Sequence, residues 1–130
     1  MSHRIRLRVY YEDTDLAGIV YYANYLKFIE RGRSDWLRDL GLDQRALKED
    51  RGLVFAVRRV EADYLSPARF DDVLEITTAL TEMRPARLVL TQEVLRDDLV
   101  LFRAIVTIAC LDASGRAVRL PDALCSVLAA

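Results

Sequence analysis

The sequence predicts a single α+β domain over residues 1–130, made of one long helix and an antiparallel sheet. Two periodicities predict this class. Apolar residues recur at helical spacing over residues 22–40. Beyond Gly52 the period changes to two, which is typical of half-buried strands, in the segments 53–64, 73–82, 87–96 and 99–111. The length suits one domain, and no linker or internal repeat divides the chain.

The remaining elements follow in chain order. Residues 4–10, RIRLRVY, alternate basic and apolar positions, which predicts a first strand. Gly41 is a natural stop for the long helix, and a short second helix is predicted over residues 43–50. Turn residues separate the strands, among them Ser66-Pro67 and Arg84-Pro85. Residues 116–128 are interpreted as a last short strand or a tail.

The segment LVLFRAIVTIACL is apolar on both faces. One helix cannot cover both sides of a five-stranded sheet, so the second apolar face needs another cover. The simplest cover is a second copy of the chain, which predicts a homodimer or homotetramer.

Composition excludes several classes of function. The formal net charge is −1, which gives no indication of nucleic-acid or membrane-surface binding. The longest apolar run, in AIVTIACL, is far shorter than the ~20 residues of a membrane helix, and the N-terminus lacks a signal-peptide pattern. We therefore expect a cytoplasmic protein, in which Cys110 and Cys125 are thiols rather than a disulfide. His3, the only histidine, is expected at a mobile terminus, which disfavours histidine catalysis.

An acidic cluster precedes the long helix in residues 12–25, EDTDLAGIVYYANY. One interpretation is a solvated turn whose aspartates complement the helix dipole. Another is a calcium loop, because Asp13, Asp15 and Gly18 match positions one, three and six of that pattern. Ala17 stands at position five, Asn24 stands at position twelve where a bidentate Glu is needed, and no helix is predicted ahead of the loop. We therefore reject the calcium loop and predict no metal site.

A third interpretation of the cluster is catalytic. Unpaired amides at a helix N-terminus can hold a carbonyl oxygen as it gains negative charge. A neighbouring carboxylate can attack that carbonyl or activate a water. Gly18 allows close approach of the backbone to a ligand, and the IVYY segment that contains Val20 can line an acyl pocket. The residues alone do not decide between this and a solvated turn.

The stretch VYYEDTDLAGIVYYANYLKFIERGRSDWL closely resembles the signature of the hot-dog-fold acyl-CoA thioesterases of the 4-hydroxybenzoyl-CoA thioesterase family. The segments VRRVEADYLSPARFDDVLEI and TEMRPARLVLTQEV extend the likeness, which is greatest to the branch associated with the Tol–Pal system. The resemblance implies five antiparallel strands wrapped around one helix, paired into dimers or tetramers. It implies an acyl-CoA substrate and no cofactor.

The resemblance also implies roles for individual residues. The family's catalytic aspartate falls on Asp15, as general base or nucleophile, and the amide that polarises the carbonyl falls at or near Tyr22. Asp13 is then a turn or cap acid. Relatives in the Tol–Pal branch commonly carry His at the position of Tyr22. A phenol with a pKa near ~10 is a poor base at neutral pH, so the aspartate-only site of the hydroxybenzoyl branch is the closer model.

Arg84 and Arg87 flank the turn between the third and fourth strands, and arginine pairs well with phosphate oxygens. The resemblance implies that this region meets the phosphates of coenzyme A, together with Arg119 from elsewhere or from another subunit. The alternative is a solvated turn charge. Glu30 is expected to form an ion pair with Arg33 on the helix face.

The sequence thus predicts an acyl-CoA thioesterase that releases a free acid and coenzyme A. Two alternatives stay open. One is a different hot-dog enzyme, such as a dehydratase. That chemistry usually needs a well-placed catalytic histidine, and His3 is a poor candidate for this role. The other is a non-catalytic module that binds acyl-CoA or acyl carrier protein and acts through a partner at the cell envelope. The sequence does not define the acyl group.

Overall fold

The computed structural model describes residues 2–129. Its five antiparallel strands form one sheet in the order β1-β3-β4-β5-β2. The strands are β1 (His3–Arg8), β2 (Val54–Tyr64), β3 (Val73–Arg84), β4 (Arg87–Arg96) and β5 (Leu99–Leu111). The helices are α1 (Asn24–Asp39), α2 (Gln44–Arg51) and α3 (Asp122–Leu128). Among these residues no helix combines the length and the apolar character that crossing a bilayer requires.

The long helix α1 packs on the inner face of the sheet, mainly against β1, β3 and β4. Its apolar stripe is buried as the periodicity predicted, and Phe28 and Ile29 are among the most deeply buried residues. The opposite face carries charged residues. The predicted arrangement of five antiparallel strands around one long helix is confirmed.

A buried glutamine joins α1 to the centre of the sheet. The Gln92 side chain is fully buried on β4, and its amide nitrogen donates to the Ile29 carbonyl oxygen at 2.9 Å and to Thr78 Oγ1 at 2.8 Å. Arg33 Nη1 donates to Gln92 Oε1 at 3.0 Å. Gly32 permits this approach, because a Cβ there would lie 2.8 Å from a methyl carbon of Ile76.

The end of the chain differs from the prediction. The segment interpreted as a strand or tail over residues 116–128 contains the helix α3, and only Ala117 makes an isolated bridge, to Leu111. Leu124 and Leu128 are buried in the core. Because they are four residues apart, one face of a helix presents both to the core, which a strand could not do.

The apolar surface left uncovered also differs from the prediction. The outer face of β5 is mixed rather than apolar, because exposed Ile105 lies between Glu61 and Thr91 on the neighbouring strands. The uncovered apolar strip lies instead on the inner face of β2, at the edge of the sheet beyond the reach of α1. Its members are Val57, Val60, Ala62 and Tyr64.

Replacing Gln92 with Ala is expected to lower the free energy of unfolding by about 2–4 kcal/mol, because it leaves a cavity and removes hydrogen bonds to α1. Thr91→Ala, on the outer face of the same strand, is the matched control and should cost less than about 1 kcal/mol. Urea titrations at one protein concentration measure both. Equal stability of the two variants would contradict the structural role given to Gln92.

Candidate active site

The acidic cluster folds into a short two-stranded loop ahead of α1. Tyr21 N donates to the Asp13 carbonyl oxygen at 2.8 Å, and Asp15 N donates to the Ile19 carbonyl oxygen at 2.9 Å. Between these bonds, Thr14 and Val20 form an antiparallel bridge. The backbone of the loop is therefore largely occupied by its own ladder, which fixes the position of the Asp15 side chain.

The tip of this loop is a tight turn that needs a glycine. Gly18 has a φ of +81°, and its N–H donates to the Asp15 carbonyl oxygen at 3.0 Å. A Cβ at Gly18 would meet nothing within 4 Å, so its backbone conformation rather than crowding accounts for the glycine. Asp15 Oδ1 accepts from Ala17 N at 2.9 Å, a local bond that orients the carboxylate.

Asp13 has the supporting role that was predicted for it. Its side chain is buried, and Oδ2 accepts from the Tyr10 backbone N–H at 2.9 Å. Its carbonyl oxygen also accepts from the buried side-chain nitrogen of Asn24 at 2.9 Å. Asp13 thus ties the loop to the first residue of α1.

The start of α1 leaves amides free. The residue before the helix is Ala23, which has no side chain that could cap it. Within residues 2–129, the backbone N–H groups of Tyr22 and Ala23 have no hydrogen-bond acceptor. Two adjacent free amides at a helix N-terminus are suited to hold a partly negative oxygen.

A third segment closes the site. Tyr64, at the end of β2, donates its hydroxyl proton to the Tyr22 carbonyl oxygen at 2.9 Å. Ala68 N donates to Tyr25 Oη at 3.0 Å, and Val20 N donates to the Ala68 carbonyl oxygen at 2.8 Å. The free amides are thereby held against both the loop and the end of β2.

These three segments surround a cleft of about 350 Å³, which we call the Asp15 cleft. It brings together three residues that the sequence singled out, namely Asp15, Val20 and Tyr22. The other lining residues are Ile19, Tyr21, Tyr25, Tyr64, Leu65, Ser66 and Pro67. Gly18 does not line it. The cleft therefore combines one half-buried carboxylate and free amides with a largely aromatic wall.

The predicted phosphate-binding arginines lie elsewhere in the protomer. Arg84 and Arg87 flank the β3–β4 turn, and Arg84 pairs with Glu82 at 2.7 Å. Leu120 N donates to the Pro85 carbonyl oxygen at 2.7 Å, so the backbone at Arg119 lies beside the same turn. The turn is level with Ala56 of β2, which lies roughly 26 Å along the strand from Tyr64. A single protomer does not bring these arginines to the cleft.

The only histidine is also remote from the cleft, and it lies in a paired strand, which differs from the expectation of a mobile terminus. His3 belongs to β1, pairs with Thr78, and places Nε2 2.6 Å from Asp39 Oδ2 at the end of α1. The cleft is at the other end of this 16-residue helix, about 24 Å away. Among residues 2–129, no three His, Cys, Asp or Glu side chains cluster as metal ligands would.

The predicted ion pair between Glu30 and Arg33 is wrong. Glu30 Oε2 accepts a hydrogen bond from Ser34 Oγ at 2.6 Å, whereas Arg33 turns inward to Gln92. Burial is the main cause that lowers the pKa of Arg33, and the nearby charge of Glu30 opposes it. Cys110 and Cys125 are free thiols, as predicted.

Comparison with known proteins identifies the family. The model of the thioesterase-like superfamily matches residues 9–128. The chain belongs to this superfamily. It is 42% identical over 106 residues to the acyl-CoA thioesterase YbgC of Haemophilus influenzae, an alignment that covers 82% of this chain and 78% of that protein. It is 45% identical over 107 residues to the acyl-CoA thioester hydrolase YbgC of Escherichia coli O6:H1, covering 82% and 79%.

A solved structure of this superfamily shares the fold. It is an Asp-to-Asn variant of 4-hydroxybenzoyl-CoA thioesterase in complex with 4-hydroxybenzoyl-CoA. It superposes with a TM-score of 0.92 at 26% sequence identity, and the alignment covers 98% of both chains. The hot-dog fold and the thioesterase family that the sequence predicted are confirmed.

The sequence analysis did not predict the positioning roles of two residues around the Asp15 cleft, Tyr64 and Asn24. Tyr64 lies on an edge strand that carried no motif, and its hydroxyl holds the Tyr22 carbonyl oxygen. Asn24 lies in the acidic segment but was considered only as a calcium ligand, whereas its side chain ties the helix start to Asp13. The one signal near Tyr64 was the Ser66-Pro67 turn, which was predicted only as a bend. Their roles depend on contacts between residues distant in sequence, which local patterns do not report.

Tyr25 and Tyr64 of the cleft should lose their protons at higher pH than an ordinary tyrosine. Burial raises the pKa of Tyr25 and of Tyr64 above the ordinary value of 10.0. The folded protein then keeps protons that the unfolded chain loses, so stability should fall as pH rises through these raised pKa values. Alkaline titration of tyrosinate absorbance should show a delayed component, and Tyr64→Phe should remove one of its two contributors. The delay should vanish in denaturant, and a curve identical in folded and denatured protein would contradict the assignment.

Proposed function

We propose that this protein hydrolyses acyl-CoA thioesters to a free acid and coenzyme A in the Asp15 cleft. The observation that carries the proposal is that Asp15 and Tyr22, whose amide is free, line the same largely aromatic cleft, and that the free amide of Ala23 follows directly in the chain. Relatives named as acyl-CoA thioesterases, at 42% and 45% identity, support the reaction class.

The free amides would hold the thioester oxygen as the carbonyl carbon is attacked. If Asp15 is the nucleophile, its oxygen bonds to that carbon, and the tetrahedral intermediate collapses with cleavage of the C–S bond. The thiolate of coenzyme A takes a proton from water, and a second water hydrolyses the mixed anhydride. If Asp15 is the base, it takes a proton from a water that attacks directly, and that proton passes to the departing sulfur. Both routes need the same carboxylate.

Tyr22 contributes through its backbone. Its side chain is exposed, and its carbonyl oxygen is held by Tyr64. Its phenol is a poor base at neutral pH, so the proposed chemistry uses Asp15 alone. The dehydratase alternative needs a well-placed histidine, and His3 lies at the far end of α1.

Asp15→Asn should lower kcat for acyl-CoA hydrolysis by about 10²–10⁴-fold, because it removes either the nucleophile or the base while preserving the shape of the side chain. Glu12→Gln, an exposed change in the same loop, is the matched control and should keep wild-type activity. Turnover is measured as the release of free thiol from short, long and aromatic acyl-CoAs. Binding is measured by direct titration of the Asp15→Asn variant with the same acyl-CoAs, which it should hydrolyse only slowly.

The outcomes separate the proposals. Lost turnover with retained binding supports catalysis by Asp15. Full activity of Asp15→Asn would show that another group performs the chemistry. Binding without turnover in the wild type, across the whole panel, would support the alternative of a non-catalytic acyl-CoA module.

The working form is proposed to contain two copies paired through β2. This edge strand exposes both its free backbone edge and the apolar strip of Val57, Val60, Ala62 and Tyr64. Antiparallel pairing of two β2 strands about Val60 would place Arg59 of each copy opposite Glu61 of the other. Opposite charges in directly facing positions favour such a pair, and Val60 would meet its own counterpart on the inner face.

This pairing supports the predicted role of the arginines. Ala56 and Tyr64 are each four residues from Val60. A two-fold axis at Val60 would therefore place Ala56 of one copy beside Tyr64 of the other. The partner subunit's Arg84 and Arg87, with the partner subunit's Arg119 beside them, would then lie level with the Asp15 cleft. Guanidinium groups there suit the phosphates of coenzyme A, whose reactive end enters the cleft.

A Val60→Cys variant should form an intermolecular disulfide on mild oxidation, because the paired strands would bring the two sulfurs within bonding distance. Ser126→Cys, on the exposed side of α3, is the matched control and should stay monomeric on a non-reducing gel. The native Cys110 and Cys125 are present in both variants. Equal crosslinking of the two variants would count against pairing through β2.

Three expectations from the sequence remain proposals of the same kind. They are a cytoplasmic location, assembly beyond the dimer into a tetramer, and a physiological connection with acyl carrier protein or the Tol–Pal system of the cell envelope. No cofactor is needed in the proposed reaction, because the carboxylate, amides and water account for every bond made and broken.

A further inference from the structure

A second pocket lies between α1 and β2, beside Val57 at the start of the apolar strip. It encloses about 230 Å³, and we call it the Arg33 pocket. Its polar members are Glu30, Arg33, Ser34 and Gln44. The rest of its wall is apolar, formed by Trp36, Leu37, Phe55, Val57, Leu88 and Ile108. A guanidinium in such a wall is suited to a ligand that is apolar along its body and anionic at its end.

Arg33 is an inward-turned cation whose charge is not matched by a carboxylate. Its guanidinium donates to the neutral side-chain oxygen of Gln92 at 3.0 Å, and no carboxylate of residues 2–129 lies within 4.0 Å of it. The other arginines of α1 behave differently, since Arg38 pairs with Asp35 at 2.6 Å and Arg31 is exposed. The Gln92 bond fixes the Arg33 side chain while leaving most of its N–H groups for another acceptor.

The proposed pairing through β2 joins this pocket to the catalytic cleft. The Arg33 pocket includes Phe55 and Val57 at the start of β2, whereas the Asp15 cleft includes Tyr64 at its end. An antiparallel pair centred on Val60 brings the start of one β2 beside the end of the other, and neighbouring strands are only about 4.8 Å apart. In that pair the two hollows would lie side by side across the subunit boundary.

We propose that the acyl group extends from the Asp15 cleft of one subunit into the Arg33 pocket of the other, and that Arg33 of the partner subunit binds a carboxylate at the far end of the acyl group. The inference rests on the proposed hydrolysis and the proposed pairing, and it names the substrate class: acyl-CoA esters of dicarboxylic acids. The apolar wall takes the methylene chain, and the guanidinium takes the terminal carboxylate in charge-assisted hydrogen bonds.

Glu30 sets the strength of this recognition. It lines the same pocket, its negative charge acts on Arg33, and its carboxylate is held by Ser34 Oγ at 2.6 Å. Part of the attraction for an anionic ligand is therefore offset. Removing that charge should strengthen the preference for a terminal carboxylate, whereas removing the Arg33 charge should weaken it.

The test compares acyl-CoAs of matched length that differ only at the far end: butanoyl with succinyl, hexanoyl with adipoyl, and octanoyl with suberoyl. The measured quantity is the ratio of kcat/KM for the carboxylated member to that for its plain partner. Arg33→Met should lower the best ratio by about tenfold or more, since a charge-assisted hydrogen bond is lost. Glu30→Gln should raise it several-fold. Arg31→Met, an exposed change on the same helix, is the matched control and should leave it unchanged.

Mixed dimers test which subunit supplies the arginine. Asp15→Asn and Arg33→Met subunits, carrying different tags, are co-expressed and the mixed dimer is purified through both tags. Its only active cleft belongs to the Arg33→Met subunit, which faces the partner's intact Arg33, so the wild-type ratio is expected. When wild type is mixed instead with the double variant, the active cleft faces the altered pocket, and the ratio should fall.

Each result decides something. Ratios unaffected by both Arg33→Met and Glu30→Gln, while the plain acyl-CoAs are hydrolysed, would overturn the inference and leave the proposed function standing. The opposite pattern in the two mixed dimers would place the arginine in the same subunit as the cleft, which also overturns it. Absence of turnover on every wild-type substrate would remove the proposed function, and this inference with it. If Arg33→Met does not fold, the Glu30→Gln ratio gives the same decision.

Discussion

The hydrogen bonds of Gln92 hold α1 at one position on the sheet, and the geometry of the Asp15 cleft at the start of that helix depends on this position. The bond to the Ile29 carbonyl oxygen fixes the helix along its axis, and Gly32 allows the close contact with Ile76. A fully buried amide that lacks hydrogen-bond partners destabilises the folded state, because it has lost its hydrogen bonds to water. The oxygen of the Gln92 side chain accepts a hydrogen bond from Arg33, so one buried side chain both anchors the helix and fixes the guanidinium of the Arg33 pocket.

Two free amides, those of Tyr22 and Ala23, lie at the start of α1, where the helix also lacks a side-chain cap. The position before the helix is Ala23, so no side chain there caps the first turn. Asn24 follows immediately, but its side chain is turned to the Asp13 carbonyl oxygen. Stability is thus supplied by ties on either side of the amides, from the loop and from Tyr64, and the amides themselves stay available for a ligand.

The sequence predicted what local periodicity and short motifs encode. The helix stripe, the five strands and the carboxylate loop at the helix start all follow from spacing of a few residues. The position of the uncovered apolar surface did not, because strand order and the bulge between Val57 and Arg59 decide which residues of β2 face α1. The inward turn of Arg33 likewise depends on Gln92, far along the chain, where helix spacing alone favoured a pair with Glu30.

The remoteness of the arginines in one protomer is itself an argument for a two-copy site. A small sheet with one helix cannot place the carboxylate loop and the β3–β4 turn together, because β3 runs from one end of the domain to the other. A two-fold axis at the middle of an edge strand exchanges the two ends of the domain. In the proposed pairing, the groups near Ala56 in one copy meet the groups near Tyr64 in the other. One copy then supplies the acid and the amides, while the other supplies the cations for both ends of the substrate. In that arrangement a substitution on one copy would act at the cleft of its partner, so mixing of subunits, rather than a single variant, assigns each residue to its site.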